Sequence, residues 1–156
     1  MFAIRRATED DAEGIALVHS ASIRGLATEH YTEAQVDAWS AGKDPQRYRD
    51  AMTGGEVMFV ATTTSDTVVG FASYLGEELR AVYVHPEVAR RGVGTSLLVA
   101  LESHARDEGI AELHLDASLN AEAFYAERGY VASVRMTHPL KRGGSLDCVR
   151  MTRRLG

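Results

Sequence analysis

Apolar residues recur along this chain in two periods, and the switches between them mark out its elements. Runs suited to strands are Phe2-Ala3-Ile4, Val57 to Thr62, Thr67 to Leu75, Ala81-Val82-Tyr83-Val84, Leu113 to Ala117, Tyr130 to Met136 and Leu146 to Leu155. Helical spacing places Ala12, Ile15, Ala16, His19, Ile23 and Leu26 near one face, with Thr8 and Asp11 as a capping box ahead of them. A second box, Thr32 with Gln35, starts a helix carrying Val36 and Trp39 and stopping near Gly42. Lys43 to Gly55 reads as loop with an irregular helical turn around Arg47 to Met52. Leu97, Leu98, Leu101 and Ala105 line one face of a helix that ends at Gly109, and Ala121 to Arg128 forms a last helix, capped by Ser118 or Asn120 and ended by Gly129.

The resulting order, β-α-α-β-β-β-α-β-α-β-β, predicts an α/β (α+β) fold. Its centre is a mixed, mostly antiparallel sheet of about seven strands, with about four helices on both faces. Short turns at Ser65-Asp66 and Gly76-Glu77 make a meander through Val84. The helical crossover that follows brings Leu113–Ala117 back parallel to Val82.

Composition adds bounds. The chain has 156 residues, long enough for one domain spanning 1–156 with a sizeable core. Its 45% hydrophobic and 25% charged content is that of an ordinary globular protein. A formal charge of -5 argues against binding nucleic acid by broad charge attraction. The single Cys148 excludes an intrachain disulfide framework. The N-terminal residues lack an apolar signal core and no apolar run approaches a membrane span, so the expected location is cytoplasmic with no membrane partner.

Chemistry concentrates between strand and helix, in Val82-Tyr83-Val84-His85-Pro86-Glu87 and Ala89-Arg90-Arg91-Gly92-Val93-Gly94-Thr95. A basic, glycine-bearing turn at a helix N-terminus is suited to a phosphorylated ligand, because the first-turn N–H groups lack helical partners and the dipole favours negative charge. A dinucleotide fingerprint fails at Leu97, where its third glycine belongs, and a P-loop fails because Gly94 is followed by Thr95 and not lysine.

The turn resembles the pyrophosphate-binding motif Q/R-x-x-G-x-G/A of the GNAT superfamily of N-acyltransferases. A second block, Ala121-Glu122-Ala123-Phe124-Tyr125-Ala126-Glu127-Arg128-Gly129-Tyr130, is similar to that family's late helix and strand. The resemblance implies acetyl-CoA as co-substrate and direct transfer of its acetyl group to a primary amine. It also implies a bulged strand at Val82, Tyr83 and Val84 that splays from its parallel neighbour and pairs with the pantetheine amides. Backbone N–H groups of Ala89, Arg90, Arg91, Gly92, Val93, Gly94 and Thr95 would cradle the pyrophosphate. Ala89 departs from the motif's Gln/Arg, which removes a side-chain contact.

By the same resemblance Tyr125 is the catalytic acid that protonates the leaving thiolate, although a tyrosine there would also serve to pack helix on sheet. The family's cofactor-contacting Asn falls at Ser118 by spacing, and at Asn120 with the loop aligned differently. Candidates for a general base are Glu78, His114, Asp116, Glu29 and His30, or water alone. Cys148, in a C-terminal strand, reads as core and not as an acyl carrier. The acceptor pocket is expected from the first two helices, their connector Glu29-His30-Tyr31 and the C-terminal hairpin. A small-molecule amine is the favoured acceptor. A protein N-terminus or lysine, a non-catalytic acyl-CoA-binding module and a dimerising structural domain are the alternatives, and a homodimer is compatible with any of them.

Overall fold

The computed structural model describes residues 1–26, 31–40, 43–140 and 144–156, with the side chain of Leu26 left aside. Seven strands form one sheet: β1 (Ala3–Arg6), β2 (Val57–Thr62), β3 (Val68–Leu75), β4 (Glu78–Val84), β5 (Glu112–Ser118), β6 (Val131–Pro139) and β7 (Ser145–Arg154). Their spatial order is β1-β2-β3-β4-β5-β7-β6. Every neighbouring pair is antiparallel except β4 and β5. The helices are α1 (Ala12–Leu26), α2 (Glu33–Ser40), α3 (Pro45–Thr53), α4 (Val93–Asp107) and α5 (Glu122–Glu127). No described helix is long and apolar enough to cross a membrane.

Strand alternation divides the core between the two faces of the sheet. Met58, Val60 and Phe71 point to the α1–α3 side, where they meet Ile15, Val18 and Tyr48. Phe59, Ala61, Ala72 and Tyr74 point the other way, onto Leu97, Leu98 and Leu101 of α4. A third cluster joins Ile23, Tyr31, Val36 and Leu146, fastening α1 and α2 to the start of β7.

The caps act where the sequence puts them. The Asp11 carboxylate accepts the Thr8 N–H at 2.8 Å and also takes two bonds from the Arg5 guanidinium. Thr32 and Gln35 exchange both bonds of their box, at 2.9 and 3.1 Å. Gly109 and Gly129 end α4 and α5 at positive φ, 85° and 94°.

Two details differ from expectation. Residues 45–53 form a regular helix, giving five helices where about four were expected. Asp44 caps it by accepting from the N–H groups of Gln46 and Arg47, and Pro45 sits in its first turn. The α5 helix begins without a side-chain cap: neither Ser118 nor Asn120 bonds its first amides, and only the Ser118 carbonyl takes part, accepting the Ala121 N–H. That frees the Asn120 side chain for the site.

Candidate active site

The sheet opens between β4 and β5. Their parallel register is confined to Glu78 opposite His114, with the His114 N–H bonded to the Glu77 carbonyl at 2.9 Å. One cause lies on β4's other edge. Ser73 faces Ala81 and Tyr74 faces Leu79, so Arg80 is an extra residue, a bulge that bends β4 at the point where it leaves β5. β5 meanwhile stays paired with β7 from Glu112 to Ser118. A wedge is left between two strands whose facing edges have no strand partner.

Two cavities meet in this wedge. The first, about 190 Å³, is bounded by Val82, Tyr83 and Val84 of β4, Ala117 and Ser118 of β5, and Gly94, Asn120, Phe124 and Tyr125. The second, about 320 Å³, is walled by Tyr31, Trp39, Leu140, Leu146, Asp147, Cys148 and His138. They share Leu79, Arg80, Tyr83, Asp116 and Ser118. Residues far apart in sequence therefore converge at one junction.

Gly94, in the first turn of α4, borders the first cavity, and the turn from β4 leads directly into that helix. Arg90 and Gly92 hold left-handed backbone, with φ of 64° and 81°. The first bond of α4 runs from the Ser96 N–H to the Gly92 carbonyl at 3.0 Å, so the N–H groups of Val93, Gly94 and Thr95 lie ahead of its ladder. Ala89 is different: its N–H is taken by the Pro86 carbonyl at 3.2 Å. The expected cradle of amides thus narrows to Arg90–Thr95. The side chains of Arg90 and Arg91 are exposed.

Tyr125 is 4% exposed, with its ring edge-on to Phe124 at 5.1 Å and to Tyr130 at 5.6 Å. Burial pushes its phenol far above the ordinary tyrosine range, with the neighbouring Tyr83 adding to the shift, so it stays protonated. Among the described residues nothing bonds this hydroxyl, and Tyr125 borders the first cavity. Asn120 Oδ1 is buried there without a hydrogen-bond partner among the described residues.

The expected bases separate. Glu78 borders the second cavity but is paired with Arg80 at 3.0 Å. His114 is half-buried and lines neither cavity. Asp116 lies at the junction, where both carboxylate oxygens accept bonds from Arg150 and Oδ2 also meets His138 Nε2 at 2.7 Å. Burial would raise this carboxyl, but those bonds outweigh it and hold the group below its usual range. Glu29 and His30 lie outside the described residues. Cys148 is buried as expected, and burial pushes its thiol up, which suits a wall residue better than a nucleophile.

Tyr31, Trp39, His138 and Arg150 were not singled out as site residues, although the connector ending at Tyr31 was expected near the acceptor. The Trp39 ring stands edge-on to Tyr31 at 5.5 Å and to Tyr83 at 6.5 Å, forming an aromatic wall. His138 and Arg150 were hidden because their partner, Asp116, is reached only through the β5–β7–β6 register.

Comparisons with known proteins agree with this geometry. The sequence model of the acetyltransferase (GNAT) domain matches residues 27–155. YafP, an uncharacterized N-acetyltransferase of Escherichia coli K12, is 30% identical over 127 residues, covering 81% of this chain and 79% of that protein. A crystal structure of a GCN5-related N-acetyltransferase from Rhodopseudomonas palustris superposes with a TM-score of 0.89 at 38% identity, covering 97% of this chain and 94% of that one. PaiA N-acetyltransferase of Thermoplasma acidophilum, in complex with coenzyme A, has a TM-score of 0.79 at 18% identity, with 99% of each chain covered. The chain belongs to the GNAT family of acetyltransferases.

Proposed function

We propose that this protein transfers the acetyl group of acetyl-CoA to the primary amine of a small molecule, by direct attack in a ternary complex. The observation that carries the reading is the meeting of two cavities in the β4–β5 wedge, with a protonated tyrosine on one side of the junction and an aromatic-walled pocket on the other. The coenzyme A bound by the PaiA relative supports an acyl-CoA donor, for which the first cavity is the place offered here. There the unpaired edge of β4 offers backbone groups to the pantetheine amides as an added strand would. The amides from Arg90 to Thr95 and the dipole of α4 suit the pyrophosphate.

In this arrangement the amine attacks the thioester carbon from the second cavity, the C–N bond forms and the C–S bond breaks. The departing thiolate needs a proton, and the Tyr125 phenol, held neutral by burial, supplies it. The second cavity, bounded by Tyr31, Trp39 and Tyr83, is sized for a compact amine with an apolar or aromatic body.

The test is an amine panel with acetyl-CoA, followed by release of free thiol, for the wild type and Tyr125→Phe. The expected result is turnover of small amines, with kcat about 100-fold lower in the variant and acetyl-CoA affinity retained. Unchanged rates in Tyr125→Phe would remove the acid role. Acetylation of peptides or proteins with small amines left untouched would move the acceptor to a protein N-terminus or lysine. Acetyl-CoA binding without turnover of any amine would favour a binding module.

A further inference from the structure

We propose that His138 is the base that takes the proton from the acceptor amine, held in position by Asp116 and, behind it, Arg150. The assignment rests on the transferase reading above, because it needs an amine in the second cavity.

The geometry separates the two proton transfers. Tyr125 borders only the first cavity and His138 only the second, while Asp116 borders both. An acid for the leaving group and a base for the nucleophile thus stand on opposite sides of the junction where the thioester carbon has to lie.

The ring orientation follows from its partner. The Asp116 carboxylate, already accepting from the Arg150 guanidinium, can only accept, so His138 Nε2 carries the hydrogen of their 2.7 Å bond. That leaves Nδ1 with its lone pair and no partner among the described residues. Asp116 also stabilises the imidazolium that forms when Nδ1 takes a proton. His138 is about half exposed, at 52% of its side-chain surface, so the proton can pass on to solvent after each turnover. The balance closes over the cycle: the amine nitrogen bonds the acyl carbon as the C–S bond breaks, His138 Nδ1 receives the proton that nitrogen sheds and passes it to solvent, and sulfur leaves with the proton of Tyr125, which the phenolate regains from solvent once the products have left.

The other charged groups bordering the cavity are less suited. Glu78 and Arg80 on β4 neutralise one another across 3.0 Å. Asp147 on β7 accepts the Thr137 hydroxyl at 3.3 Å and lies at the exposed edge. Asp116 already accepts from both Arg150 and His138, and Arg150, outside the cavity lining, has no lone pair to offer.

The experiment uses His138→Gln and Asp116→Asn in the full chain, with acetyl-CoA and the best amine of the panel. His138→Gln should bind acetyl-CoA like the wild type and lose about 100-fold in kcat. Its residual rate should climb with pH as the amine deprotonates unaided. Asp116→Asn should lower kcat less and leave the amine KM and acetyl-CoA affinity in place, because the ring loses the carboxylate that orients it; a merely structural role would move KM and affinity as well. Wild-type kcat and pH profile in His138→Gln would overturn the assignment while the transferase reading stands. A wild type that binds acetyl-CoA and turns over no amine would overturn both.

Discussion

The hydroxyl of Tyr31 donates to the carbonyl oxygen of Asp147 at 2.8 Å, tying the residue ahead of α2 to β7. The Tyr31 hydroxyl oxygen in turn accepts the Leu119 N–H at 2.7 Å, so one phenol also fixes the loop that leaves β5. Tyr31 is 7% exposed and forms part of the second cavity's wall. In Tyr31→Phe the ring remains, but a half-buried N–H and a carbonyl lose their partner. We expect a stability loss of about 1–3 kcal/mol by urea unfolding. KM for the amine should rise while acetyl-CoA affinity holds, since the first cavity does not include this residue. A raised acetyl-CoA Kd with unchanged amine KM would place Tyr31 on the wrong side of the junction.

The two glycines of the turn should separate under substitution. Gly92 has φ of 81°, and a Cβ there would meet nothing within 4 Å, so the cost of Gly92→Ala is conformational, about 1–2 kcal/mol. Gly94 has ordinary helical backbone, and its Cβ would touch the Phe124 ring at 3.4 Å, a normal contact. Gly94→Ala should therefore keep its stability or gain about 0.5–1 kcal/mol from helix propensity. Calorimetric titration with acetyl-CoA then reads the functional difference: weakened binding in Gly92→Ala and near-native binding in Gly94→Ala. Equal losses in both would mean that the ligand passes within a Cβ's reach of Gly94, which borders the first cavity.

Much of this was legible in the sequence because the signals are local. Strand alternation, the Thr8–Asp11 and Thr32–Gln35 boxes and the glycines ending α4 and α5 each act within a few residues. The Asp44-Pro45 start of α3 is also local, but the polar run after it has no strong apolar stripe and so reads as loop with an irregular turn. The site is another matter. Asp116 reaches His138 across two strands, and Tyr31 reaches Asp147 over more than a hundred positions. Such contacts depend on sheet order and register, which no short window encodes. The Ser118 and Asn120 caps failed for a related reason: both residues suit a cap by type, but the turn after β5 lets the Ser118 backbone serve instead.

Asn120 offers a sharper test of that loop. A buried acceptor without a partner is a cost to the free protein, so Asn120→Ala should leave stability unchanged or slightly raised. If the oxygen bonds the acyl donor, the same change should weaken acetyl-CoA about fivefold to thirtyfold, the equivalent of about 1–2 kcal/mol. Ser118→Ala should have the smaller effect on binding. Reversal of that order would return the family's Asn position to Ser118.

Stability should depend on pH through His19, which no proton transfer proposed here uses. Its ring is 6% exposed, bonds the Tyr48 hydroxyl through Nδ1 at 2.7 Å and lies 4.3 Å from the Tyr83 ring, which borders both cavities. Burial, reinforced by the charges of Lys43 and Arg47, pushes its pKa well below 6.5. The sign follows: above 6.5 neither the folded nor the unfolded chain protonates this ring, and its contribution is fully present. As pH falls through 6.5 the unfolded chain takes up a proton that the folded chain refuses, and stability drops by as much as about 1.4 kcal/mol per pH unit. His19→Gln, which can still bond Tyr48, should be less stable at neutral pH for want of ring contacts, yet lose less between pH 7 and 5. Urea unfolding at three pH values in that interval measures both slopes. Parallel slopes would show that the folded protein protonates His19 as readily as the unfolded chain does.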